Sequence, residues 1–170
     1  MASSDISADT FARARKVKLL LMDCDGVLTD GRLYFSERGE ELKVFHTRDG
    51  QGIVAWHEAG FRAGIISGRD SPMVELRAKQ LSMEFICQGR KDKIAAFREI
   101  LEAANVAPDE AAFIGDDIPD AEVFPLAGLA VAVANAHWAA MEAAHYVTKA
   151  HGGLGAVREV IDLLIAAKMD

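Results

Sequence analysis

The chain has no apolar run approaching the roughly 20 residues that cross a bilayer, no basic excess, and only two cysteines in 170 residues. The first absence removes a helical membrane span. The second, a formal charge of −7, speaks against a nucleic-acid surface, because no basic stripe compensates it. Cys24 and Cys87 lie in apolar, strand-like contexts without metal-ligand spacing, which fits reduced thiols in a cytoplasmic protein. The opening stretch MASSDISADTFARARKVK lacks the apolar centre of a secretory signal. Residues 1–16 are therefore expected to be a flexible lead-in to one domain, 17–170. No internal repeat, low-complexity tract or linker interrupts that domain. With 51% hydrophobic and 26% charged residues, it has the composition of a soluble globular unit able to bury a substantial core.

Short apolar runs alternate with helical patterns. VKLLLM (17–22), FRAGIIS (61–67), EFICQG (84–89), AAFIGDD (111–117) and LAVAV (129–133) have the pattern of strands buried on both faces. Ile53, Val54 and Trp56 begin one helix, which Gly60 can end in a left-handed conformation. Ser71 before Pro72 is a helix start. Ile94, Phe97, Ile100 and Leu101 mark the inner face of a third helix. Val157, Val160, Ile161, Leu164 and Ile165 form the clearest stripe, at i, i+3, i+4, i+7 and i+8. The alternation predicts an α/β fold: a three-layer, Rossmann-like parallel sheet with helices on both faces.

One segment departs from the pattern. After Asp25, RLYFS and ELKVF flank a turn at Glu37-Arg38-Gly39-Glu40, predicting a β-hairpin at about 31–46 that projects from the first strand. Leu33, Tyr34, Phe35, Val44 and Phe45 give the ribbon apolar residues on both faces, so it is expected to be covered, by another chain before its own domain.

In open parallel sheets, ligands bind beyond the carboxyl ends of the strands. Those ends deliver Asp23 and Asp25, then Ser67-Gly68-Arg69, then Gly89 with Lys93 just beyond, then Asp116 and Asp117. Taken singly, each has an ordinary explanation: acidic pairs form turns, Ser67 caps a turn or helix, Lys93 is solvated, and GDDIPD is an Asp-rich turn. Taken together at four strand ends, they suit phosphoryl transfer. Carboxylates hold Mg²⁺, a cation offsets the charge of an incoming phosphate, and a hydroxyl with loop N–H groups binds its remaining oxygens.

The order DCDGVLTD, IISGRD, GRKDK, IGDDIPD resembles the four motifs of the haloacid dehalogenase-like phosphatases. The resemblance implies Asp23 as the nucleophile that forms an aspartyl-phosphate and Asp25 as general acid and base. It implies Ser67 and Lys93 on the transferring phosphoryl group, with Gly68, Arg69 and Gly89 as substrate contacts. Mg²⁺ would lie between Asp23, the backbone carbonyl of Asp25 and Asp116, with Asp117 and Asp120 behind them. To protonate a sugar alkoxide as it leaves, Asp25 must arrive protonated, which neighbouring carboxylates would favour.

With only the hairpin available and no cap domain, the chain is similar to the capless subclass, whose members close their sites by oligomerising, typically as tetramers. FHTRDGQGI, SGRDSP, QGRKDK and GGLGAVREV resemble the members that act on the 8-phosphate of an eight-carbon sugar acid used in bacterial lipopolysaccharide. Arg69 is expected to set that choice, since relatives acting on nine-carbon sugar-acid 9-phosphates tend to have an acidic residue there. The expected partners are thus a small sugar phosphate and three further copies of the chain, hairpins at the interface. His46, Arg48 and Asp49 are expected at that interface, Gly152, Gly153 and Gly155 as a loose start to the last helix, and His137, Trp138 and Met141 in helix packing. Two other readings stay open: a receiver-like domain and a non-catalytic oligomerisation module.

Overall fold

The computed structural model describes residues 6–169. The apolar run after Val17 becomes β1 (Leu19–Met22), every residue of which is buried. It takes the middle of the sheet because nothing in it asks for water. β4 (Arg62–Ile66) pairs with it on one side and β6 (Ala111–Gly115) on the other, both parallel. β5 (Phe85–Cys87) extends the sheet beyond β4, and β7 (Leu129–Ala132) and β8 (Tyr146–Val147) extend it beyond β6. The order is β5-β4-β1-β6-β7-β8, with helices on both faces as expected. β8 escapes a sequence reading because only two residues pair with β7.

The helices follow from their apolar faces. In α2 (Thr47–Glu58), Ile53 and Trp56 are buried, and the Trp56 ring stacks on Phe61 at 4.3 Å. Gly60, at φ +87°, turns the chain out of that helix. α3 (Pro72–Gln80) starts after Ser71, but the Ser71 hydroxyl makes no capping bond. α4 (Lys93–Ala104) sets Phe97 edge-on to Phe113 of β6, with ring centroids 6.1 Å apart. α5 (Ile118–Ala121) and α6 (Trp138–Ala143) are short and follow β6 and β7. α7 (Ala156–Met169) buries Val157, Val160, Ile161 and Leu164, most of its predicted stripe.

The N-terminal expectation needs correction. Residues 1–5 of the proposed flexible lead-in lie outside the described residues, but Ala8–Lys16 form a helix, α1. Ser7 Oγ caps it by accepting from Thr10 N at 3.0 Å. Thr10 and Ala14 are buried, and Thr10 Oγ1 donates to His145 O at 3.1 Å. Its apolar face is so narrow that the sequence shows no stripe; polar ties compensate, including Lys168 Nζ to Arg15 O at 2.9 Å.

The hairpin is present, with strands shorter than predicted: β2 (Tyr34–Ser36) and β3 (Gly39–Leu42). Its pairing shifts between Tyr34 and Phe35. Leu33, Tyr34, Phe35, Leu42 and Val44 are exposed, whereas Phe45 packs partly against the core.

Candidate active site

The parallel ladder runs one residue past β1, because Asp23 N donates to Ile114 O at 2.9 Å. The chain then wraps on itself, with Val27, Leu28 and Thr29 N–H groups converging on Cys24 O at 2.9–3.3 Å. Asp23 and Asp25 consequently face one pocket while Cys24 turns into the core. Burial pushes the Cys24 thiol far up, so it stays protonated. Gly26 has φ +91°, and a Cβ there would lie 2.0 Å from Asp116 Oδ2. Only glycine lets Asp116 approach the loop so closely.

The other strand ends complete the pocket. Ser67 is fixed by its N–H on Cys87 O at 2.8 Å and by its carbonyl accepting from Arg90 N at 3.0 Å. Gly68 and Arg69 follow it into the pocket wall. Lys93 enters from the start of α4, where the Asp92 side chain caps by accepting from Ala95 N at 2.9 Å. Its ammonium lies 3.0 Å from Asp23 Oδ2 and 2.6 Å from Asp120 Oδ1. The second oxygen of Asp120 accepts from the N–H groups of Asp116 and Asp117 at 3.1 and 3.2 Å. Asp117 caps α5 through its carboxylate, which accepts from Ile118 N at 2.8 Å.

The cavity measures about 360 Å³ and is lined by Asp23, Asp25, Ser67, Gly68, Arg69, Lys93, Asp116, Asp117 and Asp120, with Arg90, Lys91 and Pro119 added. Of the expected substrate contacts, Gly89 is not in its wall. Its φ is +67° and its N–H donates to Arg69 O at 3.1 Å, so it shapes the loop instead.

Oxygens of Asp23, Asp116 and Asp120 lie within 4.8 Å of one another. Burial and the charge of Asp120 push the Asp23 carboxyl up to about 7 despite Lys93. Burial, then Asp120 and Asp23, push Asp116 to about 8. Lys93 moves the other way from what burial alone dictates, because the two aspartates it touches hold its proton. An all-oxygen set with excess buried negative charge fits a hard divalent cation. Asp120 is committed to Lys93 and two N–H groups, which leaves Asp23 and Asp116 as donors toward the pocket.

Several expectations change. Asp25 does not sit among carboxylates alone: Lys43 Nζ lies 2.5 Å from its Oδ1 and Arg69 Nε 3.5 Å from its Oδ2. Lys43 and Glu40 come from the hairpin; Glu40, expected in its turn, belongs to β3, and the sequence assigns Lys43 no role. The signal in the sequence is the alternation of ELKVF, which sets Lys43 on the face opposite Leu42 and Val44; the structure exposes those two and buries the lysine. Asp49, expected at an interface, is buried and holds the start of α7, accepting from Gly155 N at 3.2 Å and Arg158 N at 2.8 Å. His46 caps α2 through Nδ1, which accepts from Arg48 N at 3.2 Å. The glycine-rich stretch is tightly fitted rather than loose: a Cβ on Gly152 would lie 1.6 Å from Gly26 O, and Gly153 N donates to Val27 O at 2.8 Å. Trp138, expected to pack, is 65% exposed. His137 caps α6 by accepting from Ala139 N at 3.2 Å, and Met141 packs partly on the core.

Comparison with known proteins agrees with this geometry. Residues 76–161 match the haloacid dehalogenase-like hydrolase family. The 3-deoxy-D-manno-octulosonate 8-phosphate phosphatase of Escherichia coli is 45% identical over 163 residues, which are 96% of this chain and 87% of that protein. The crystal structure of the Yersinia pestis phosphatase of that name superposes with a TM-score of 0.94 at 43% identity, covering 96% of this chain and 89% of that one. A Moraxella catarrhalis structure of the same enzyme, in complex with magnesium, phosphate and KDO, gives 0.92 at 37% identity, covering 95% and 92%. The chain therefore belongs to the haloacid dehalogenase-like hydrolases and, within them, to the family of 3-deoxy-D-manno-octulosonate 8-phosphate phosphatases.

Proposed function

We propose that the protein is a Mg²⁺-dependent phosphatase that hydrolyses 3-deoxy-D-manno-octulosonate 8-phosphate to the free sugar acid and phosphate, in lipopolysaccharide precursor synthesis. The observation that carries the reading is the convergence of Asp23, Asp25, Ser67 and Lys93 on one cavity. Asp23, Asp116 and the backbone carbonyl of Asp25 would hold Mg²⁺, which when bound supplies positive charge against the phosphoryl oxygens.

The chain's own groups account for the steps. A carboxylate oxygen of Asp23 attacks phosphorus; the P–O bond to the sugar breaks, and Asp25 gives its proton to the departing oxygen. Ionised Asp25 then takes a proton from water, whose oxygen attacks the aspartyl-phosphate; Asp23 leaves as a carboxylate and phosphate is released. Ser67 and Lys93 hold the phosphoryl oxygens, and Asp120 keeps the lysine aimed. Arg69, at the mouth beside Asp25, suits an acidic sugar.

The assembly we propose is a homotetramer with hairpins at the interface, working in the cytoplasm. The exposed apolar residues of the hairpin support the first point. For the second, no helix among the described residues is long and apolar enough to cross a membrane. Phosphate release from eight- and nine-carbon sugar-acid phosphates, with and without Mg²⁺, tests the activity. The eight-carbon substrate should be preferred, with turnover requiring the metal. Asp23→Asn should abolish turnover while phosphate still binds; substantial residual activity in that variant refutes the nucleophile. A long-lived aspartyl-phosphate without turnover would instead indicate a receiver.

A further inference from the structure

The hairpin buries a cation. Lys43 has a side chain only 1% exposed, although its neighbours Leu42 and Val44 are about half exposed. Taking an ammonium out of water costs several kcal/mol unless it is well paired. Lys43 Nζ is paired twice, at 2.5 Å to Asp25 Oδ1 and 3.1 Å to Glu40 Oε1. Arg69 closes the ring, at 3.5 Å from Asp25 Oδ2 and 3.6 Å from Glu40 Oε1. The two oxygens of Asp25 are therefore unequal. Oδ1 is held by Lys43, whereas Oδ2 is buried without a hydrogen-bond partner among the described residues.

A carboxylate turns easily about its last torsion, and its well is broad and two-fold. Proton transfer, by contrast, needs donor and acceptor within about 2.6–3.2 Å. A lysine on one oxygen removes that freedom and fixes the other oxygen beside the Arg69 guanidinium.

We propose that Lys43, backed by Glu40, is a positioning residue for Asp25: it anchors Oδ1 and leaves Oδ2 to exchange the proton with the leaving group and water. The inference rests on the phosphatase reading, in which Asp25 is the acid. It gives the hairpin a direct part in the chemistry of its own chain.

Leaving-group dependence tests it. kcat/KM covers only steps through formation of the aspartyl-phosphate, where a good leaving group needs no proton and a poor one does. The assay uses the sugar-acid 8-phosphate and a series of aryl phosphates from p-nitrophenyl to p-methylphenyl, none of the aryl members carrying a carboxylate. In Lys43→Met, kcat/KM should fall about 100-fold for the poorest leaving groups and less than about threefold for p-nitrophenyl phosphate. The line against leaving-group pKa should steepen toward that of Asp25→Asn. Glu40→Gln keeps the lysine on Asp25 but weakens its second anchor, so its line should steepen less. A parallel drop across the series, the mark of general misfolding, in both variants overturns the proposal. So does a loss confined to the sugar acid, which would mean that Lys43 binds the substrate carboxylate. If the wild-type protein releases phosphate from none of these compounds, or Asp25→Asn matches it throughout, the phosphatase reading itself fails.

Discussion

The ammonium of Lys93 lies 2.6 Å from Oδ1 of Asp120, a carboxylate that solvent does not reach. This pair aligns the rest of the rim. The same carboxylate grips the N–H groups of Asp116 and Asp117, so one side chain sets both the Lys93 ammonium and the loop carrying Asp116. In Asp120→Asn the amide must turn its NH₂ either on Lys93 or on those N–H groups, donor against donor. The expected cost is about 1–3 kcal/mol of stability and about 10- to 100-fold of activity. Thermal denaturation with steady-state kinetics checks this, and wild-type values in both would contradict it.

Gly152 and Gly155 separate close packing from conformation. A Cβ at Gly152 would fall 1.6 Å from Gly26 O, whereas at Gly155, φ +107°, it would meet nothing within 4 Å among the described residues. Gly152→Ala should lose about 3 kcal/mol or more and lower activity, because the loop bearing Asp25 must shift. Gly155→Ala should lose about 1 kcal/mol with activity kept. Urea denaturation of the two variants side by side decides it; equal losses would refute the distinction.

The metal-free protein should weaken as pH rises. Burial and neighbouring aspartates raise Asp23 to about 7 and Asp116 to about 8 from an ordinary 3.8. Between those values the folded chain binds protons that the unfolded chain has released, so stability is full below 3.8 and is lost as pH climbs through 7 and 8. Mg²⁺ binds the ionised forms and stabilises by mass action. Its thermal shift should therefore be larger near pH 8 than near pH 6; equal shifts would contradict the assignment of these carboxylates as the metal donors.

The hairpin should hold the protein together as an oligomer. Phe35, 61% exposed in the single chain, is its most exposed large apolar residue after Arg32 and before Lys43. Light scattering of the wild-type protein should give a mass above that of one chain, and Phe35→Glu should lower it. A well-behaved wild-type monomer would refute burial of the ribbon.

Much of this was legible because strand ends punctuate apolar runs: Asp23, Ser67 and Asp116 stand where LLLM, AGII and AAFIG stop, and Lys93 opens the helix that follows FIC. Four features were not. α1 carries too few apolar residues to reveal a stripe, and β8 is two residues long. The alternation of ELKVF sets Lys43 opposite Leu42 and Val44, but which face is buried is decided by Asp25, distant along the chain. Asp49 was misplaced because its partners, Gly155 and Arg158, lie far along the chain. Local pattern locates what the backbone repeats; it is silent on what distant segments do to one another.

The contact of Gly152 with Gly26 also bears on synthesis. The loop that carries Asp23 and Asp25 is made well before the glycines that press against it. A nascent chain halted before residue 152 would hold Asp23, Asp25, Ser67, Lys93 and Asp116 and still lack the surface against which the Asp23–Asp25 loop packs. The shape of the loop thus depends on a segment synthesised long after it.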